Sequence, residues 1–237
     1  MTKIYYQLPL ELELWITATI IMWIMAIYFL YRSRKIDKEA RPFIYGIIIF
    51  ATSFGTARLI ETLRKYILFG FNYYDVIDTN FNIVGTSLWL RIIYYIISWI
   101  GIAIFYFTFE KYVMRNKTKF ILTIGSIIES FLAVSLYFTS RNEWIFLFSV
   151  LNFLIIGLFP IVLFLWLAYK SPYRSTRLSW IIITLGFVLF ALGMMGDLPE
   201  AWVFISELSQ LIIRYFTPLA QIFGFALMGV GFAIIYQ

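Results

Sequence analysis

Ionisable side chains are rare in this chain, and several sit inside apolar runs where each needs a partner, water or a function. Arg58 and Glu61 fall three residues apart in Pro42–Leu63, so they share a helical face. Arg91, Tyr94, Tyr95 and Ser98 make a polar stripe in Gly85–Phe109. Ser126 and Glu129 share a face in Phe120–Phe138, and Asn152 interrupts Trp144–Tyr169. Gln210, Arg214, Thr217 and Gln221 follow a four-three-four rhythm, again one helical face. Pro218 cannot donate to the carbonyl of Arg214, which frees that oxygen for water, a side chain or a ligand. Arginines above a carboxylate make a site for a small polar or anionic ligand, or for a lipid headgroup.

The expected site is a polar pocket lined by Arg58, Glu61, Arg91, Tyr94, Glu129, Asn152, Arg214 and Gln221. Plainer roles compete at each position. Arg58 and Glu61 could neutralise each other, and Arg91 and Arg214 could snorkel toward headgroups. Glu129 lies about 15 Å beyond Lys119 along a helix, too deep to snorkel. Its plain role is a buried hydrogen bond or ion pair, and its sharper one a proton site or ligand contact.

Histidine and cysteine are absent. That removes disulfides, thiol nucleophiles, Cys/His zinc sites and haem ligation by either residue. A metal held by Glu61, Glu129 and Asp197 has no recognisable ligand spacing. The expectation is a protein that is not an enzyme.

The elements that must hold these groups are helices in lipid. Of 237 residues, 62% are hydrophobic and only 14% charged. A soluble domain of that length cannot hide so much apolar surface. Seven runs are long enough to cross the hydrocarbon, at about 12–31, 42–63, 85–109, 120–138, 144–169, 180–196 and 211–236. The fold predicted is an all-α bundle of seven transmembrane helices forming one domain, 1–237.

Loop charges orient it. Twelve of the nineteen basic residues fall in the first, third and fifth loops. They are Arg32, Arg34, Lys35, Lys38 and Arg41; Lys111, Arg115, Lys117 and Lys119; Lys170, Arg174 and Arg177. Acids such as Glu11, Glu13, Asp75, Glu143 and Glu207 gather at the other ends. The positive-inside rule puts the basic loops in the cytosol, the N-terminus outside and the C-terminus inside. The pI of about 9.4 therefore reports topology and not nucleic acid. The bilayer is the first partner, the plasma membrane the expected site, and a membrane or cytosolic protein the expected recipient of any signal. The cytosolic halves are apolar, so the vestibule has a closed floor. That pattern favours binding over a permanently open channel.

Two segments share wording. Tyr31-Arg32-Ser33 leaves the first span and Tyr169-Lys170-Ser171 the fifth. Arg91 precedes Ser98 by seven and Gly101 by ten, and Arg214 precedes Gln221 and Gly224 by the same steps. This predicts a three-one-three repeat with the fourth span as linker.

Seven helices, Arg91 and the segment LAQIFGFAL (Leu219–Leu227) resemble the microbial rhodopsins. In that resemblance Gln221 stands where the retinal-linking lysine belongs, and glutamine forms no Schiff base, so no covalent retinal and no other cofactor is expected. The three-one-three plan is similar to small sugar transporters of the SWEET and PQ-loop type, without their hinge prolines. G-protein-coupled receptors match in topology alone. These resemblances are of fold and do not deliver function. The arginines over a carboxylate point to a receptor or sensor, with a secondary transporter of a small solute or proton and a structural membrane subunit as alternatives.

Overall fold

The computed structural model describes residues 8–64, 86–138, 143–195 and 207–236. Among them the chain is helices joined by short turns, with no strand. The helices are α1 (Leu8–Ser33), α2 (Arg41–Leu63), α3 (Thr86–Thr108), α4 (Ile121–Phe138), α5 (Glu143–Lys170), α6 (Arg174–Met195) and α7 (Glu207–Ile235). A π-helical turn, Phe109–Val113, continues α3. Six helices are long and apolar enough to cross a membrane; α4 is apolar but shorter. Helices follow from the solvent: lipid offers no hydrogen bonds, so each backbone group must be satisfied within its own segment. Pro42 opens α2, where its missing N–H costs nothing. The sixth predicted span begins six residues early, at Arg174, because Arg174 and Arg177 join the helix ahead of the apolar run.

Large apolar side chains point outward, among them Ile24, Phe131, Leu158, Val162 and Phe223. Of the apolar stretch of α5, only 17% is buried. Outward faces of this kind suit acyl chains better than water. The predicted outer loop, Arg64–Val84, lies outside the described residues apart from Arg64 itself.

The chain forms two compact units. The first holds α2, α3 and α4, with α1 from Met22 onward and α5 as far as Pro160; the second holds α6 and α7, with α1 up to Ile21 and α5 from Ile161.

In the first unit α2 packs on α3 through a column of rings. Phe50 stacks on Phe105 at 5.1 Å, and Phe43 and Phe109 flank Phe105 at 6.0 and 6.3 Å. Close approach depends on glycine. A Cβ on Gly101 would lie 2.7 Å from that of Ser53, and one on Gly46 would collide with the Thr108 side chain.

In the second unit α6 and α7 meet backbone to backbone. A Cβ on Gly224 would stand 2.7 Å from the Phe190 nitrogen and 2.8 Å from the Gly186 oxygen. Gly193 and Gly231, seven residues from Gly186 and Gly224, extend the same seam. Aromatic packing continues through Phe190 and Phe225, edge to face at 5.2 Å.

Candidate functional site

The last two turns of α2 and the first turns of α3 build one buried charge cluster. Arg58, Glu61 and Arg64 recur every three residues along α2, and none is more than 2% exposed. Arg64 follows the last α-helical residue, its N–H still bonded to the Glu61 carbonyl, so its side chain folds back over the helix. The Arg64 guanidinium grips the Glu61 carboxylate with both arms, Nε to Oε2 at 2.9 Å and Nη2 to Oε1 at 2.7 Å. Arg91 arrives from α3 and donates through Nη1 to the same Oε1. Its Nη2 donates to the Tyr95 hydroxyl at 3.1 Å, one turn further along.

Aromatic faces complete the arrangement. The Arg58 guanidinium lies 5.1 Å from the Tyr94 ring centroid, and the Arg91 guanidinium lies 5.2 Å from the same ring. Arg58 also sits over Phe54, and Arg91 over Tyr95. A cation held against a ring in a dry site gains from the ring's quadrupole. Three guanidiniums thus gather around the Glu61 carboxylate and the rings of Tyr94 and Tyr95. Removing one partner from a buried ion pair of this sort costs about 3–5 kcal/mol, because the other charge is stranded.

Four of the eight expected site residues come together here: Arg58, Glu61, Arg91 and Tyr94. Arg64 was missed because it sits one residue past the apolar run. The available signal was spacing, since Glu61 has an arginine three residues away on each side. Ser98, two turns below Arg91, is 1% exposed, and its hydroxyl has no hydrogen-bond partner among the described residues.

Glu129 and Asn152 form a separate group between α4 and α5. The Glu129 carboxylate is 3% exposed. It accepts from the Ser149 hydroxyl and, at 2.9 Å, from the Asn152 amide. The same amide donates to the Gly125 carbonyl at 2.9 Å, which pins α5 to α4. Among the described residues Glu129 is therefore held by neutral donors and not by an arginine. Ser126, expected beside it, donates instead to the Leu122 carbonyl. Ser149 was the overlooked member, and its three-residue step from Asn152 was the available sign.

Gln221 belongs to the second unit. It is fully buried, its amide nitrogen is 4.0 Å from the Met194 sulfur, and its carbonyl oxygen has no hydrogen-bond partner among the described residues. The side chain of Arg214 and all of Asp197 lie outside the described residues. Among the described residues no group of three His, Cys, Asp or Glu side chains could hold a metal.

A third carboxylate group escaped the sequence reading. Glu110, fully buried in the π turn, accepts from the N–H groups of Leu122 and Thr123 at 3.0 Å each. It also accepts from the Thr123 hydroxyl at 2.6 Å. It satisfies the open N–H groups at the start of α4 and matches the positive end of that helix's dipole.

Fold and composition together define a polytopic helical membrane protein. No protein-family model matches the chain, nor does any curated protein or solved structure.

Proposed function

We propose that this is a non-enzymatic seven-helix membrane receptor or sensor that takes a small anionic ligand, or an anionic lipid headgroup, at the Arg58–Glu61–Arg64–Arg91 cluster. In this reading all seven helices cross, α4 included, since its eighteen residues rise about 27 Å. The basic loops face the cytosol, as the positive-inside rule requires, so the cluster lies toward the outer side of the plasma membrane.

One observation carries the reading. Two arginines from two helices flank a single tyrosine ring, and a third clamps the Glu61 carboxylate. Guanidiniums bind carboxylates and phosphates through paired N–H donors, so an incoming anion and Glu61 would compete for Arg91. Glu61 bridges α2 and α3 through that arginine, so exchanging it for a ligand would loosen one end of the hairpin. The phenylalanine column beneath closes the floor, which suits binding without an open pore.

The test is the thermal stability of purified protein with inorganic phosphate, sulfate and short carboxylates. Stabilisation in the wild type, absent in Arg91→Ala and Arg58→Ala, supports the reading. Stabilisation untouched by both substitutions refutes it.

A second reading, a secondary transporter of a small solute or proton on a three-one-three plan, has its own support. Each unit repeats the same small devices. Ser33 donates to the Leu30 carbonyl and Ser171 to the Leu167 carbonyl, both at 2.7 Å. Arg41 reaches back to the Arg34 carbonyl, and Arg177 to that of Ser171. Gly101 seats α3 on α2 at Ser53, and Gly224 seats α7 on α6 at Phe190. Glu129 is the coupling residue of this reading. A pH-dependent flux into proteoliposomes that vanishes in Glu129→Gln would put it ahead of the first.

A further inference from the structure

The turn between α3 and α4, residues 109–120, carries four cations and one acid. The acid, Glu110, is fully buried beneath the start of α4. The cations Lys111, Arg115, Lys117 and Lys119 are all exposed. The charges that the turn itself exposes are therefore positive, although its sequence is mixed.

The backbone is tightly specified. Arg115, Asn116, Lys119 and Phe120 all have positive φ, between 50° and 61°, with no glycine among them. Each strains an L-residue, and such strain persists only where the surroundings over-determine it. The surroundings here are visible. The Asn116 nitrogen bonds the Glu110 carbonyl at 2.8 Å, and Lys117 and Lys119 bond back to Met114 and Asn116 at 3.1 Å. Met114 and Thr118 are buried under the turn. A slack lysine-rich loop would meet the positive-inside rule equally well. This one holds the backbone that carries its charges in a set conformation.

The flanking rings indicate what meets them. Phe107 and Tyr112 are 39% and 40% exposed, and the Lys111 ammonium lies over both, at 5.3 and 5.4 Å. Phe107 also stacks on Phe120 at 5.6 Å. Exposed rings under lysine at the end of an apolar helix belong at headgroup depth, where apolar stems end and phosphates begin. An acidic protein surface would leave those rings facing water. We propose that this turn is a binding site for the phosphate of an anionic phospholipid, with Arg115, Lys117 and Lys119 as its cationic contacts and Glu110 as the residue that positions them.

The experiment uses the full chain in nanodiscs or detergent and compares phosphatidylglycerol with phosphatidylcholine by native mass spectrometry and thermal shift. Wild type should bind phosphatidylglycerol on the order of tenfold more tightly. Arg115→Gln/Lys117→Gln/Lys119→Gln, all at exposed positions, should lose that preference. Glu110→Ala separates a shaped site from plain attraction: it makes the protein more positive yet releases the turn, so the preference should fall. Asn116→Gly keeps every charge and relieves one strained residue, so it should bind like wild type. If Glu110→Ala is unfolded by circular dichroism, Glu110→Gln takes its place. Equal binding of the two lipids by wild type overturns the proposal, as does a triple variant that keeps the preference. Tighter phosphatidylglycerol binding by a folded Glu110 variant overturns the shaped site. Stabilisation by inorganic phosphate or an acidic peptide, and none by phosphatidylglycerol, overturns lipid as the occupant.

Discussion

The two ends of the α2–α3 pair each bury a carboxylate, by opposite means. Glu61 is matched by whole charges, the guanidiniums of Arg64 and Arg91, which are themselves buried. Glu110 is matched by the partial charges of backbone N–H groups at the start of α4, and its cationic neighbours stay outside. The first arrangement gathers strong charges that an outside anion can contest. The second neutralises its acid with fixed dipoles and leaves nothing buried to exchange. A replaceable partner suits a binding site, and an irreplaceable one suits a scaffold.

Substitutions can break that contrast. Glu61→Ala strands two buried arginines and should cost about 3–5 kcal/mol in chemical unfolding within a bilayer mimic. A loss near zero would mean the cluster is already hydrated and the contrast is false. Glu110→Ala removes three accepted hydrogen bonds and leaves N–H groups open, for about 1–3 kcal/mol. Added anion should recover part of the first loss and none of the second.

Two glycine substitutions probe the helices themselves, Gly46 in α2 and Gly157 in α5. Gly46→Ala pushes a methyl into Thr108 and should cost about 1–3 kcal/mol, read as a lowered melting temperature. Gly157→Ala meets nothing within 4 Å, so it should gain about 0.5–1 kcal/mol from helix propensity alone. The smallest effect is expected at Asn116→Gly, a gain of about 0.5 kcal/mol from relief of a left-handed residue, since asparagine tolerates that region better than most.

The helices were legible because lipid solvent writes long apolar runs, and the structure departs from them by a turn or two at most. Most of the cluster's members were legible as well: the stripes Arg58/Glu61 and Arg91/Tyr94 put each pair on one helical face. Periodicity marks a face but not its neighbour, so it could not bring Arg91 to Glu61 across thirty residues of sequence. Nor could it pair Glu129 with Ser149 in place of an arginine. Arg64 was taken for loop because burial at a helix end is conferred by the helix packed beside it. Glu110 was hidden by its company, since an acid next to Lys111 in a basic loop looks solvated. Its burial depends on a π turn and four strained residues that no glycine announces.

The central claim is that an anion can sit between Arg58 and Arg91 across Tyr94. A crystallographic map of the protein soaked with selenate tests this most directly, because selenium marks itself by anomalous scattering. The account predicts an anomalous peak within hydrogen-bond reach of both guanidiniums, lost in Arg91→Ala. Selenate bound elsewhere, with Glu61 still holding Arg91 and no peak beside Tyr94, would contradict it.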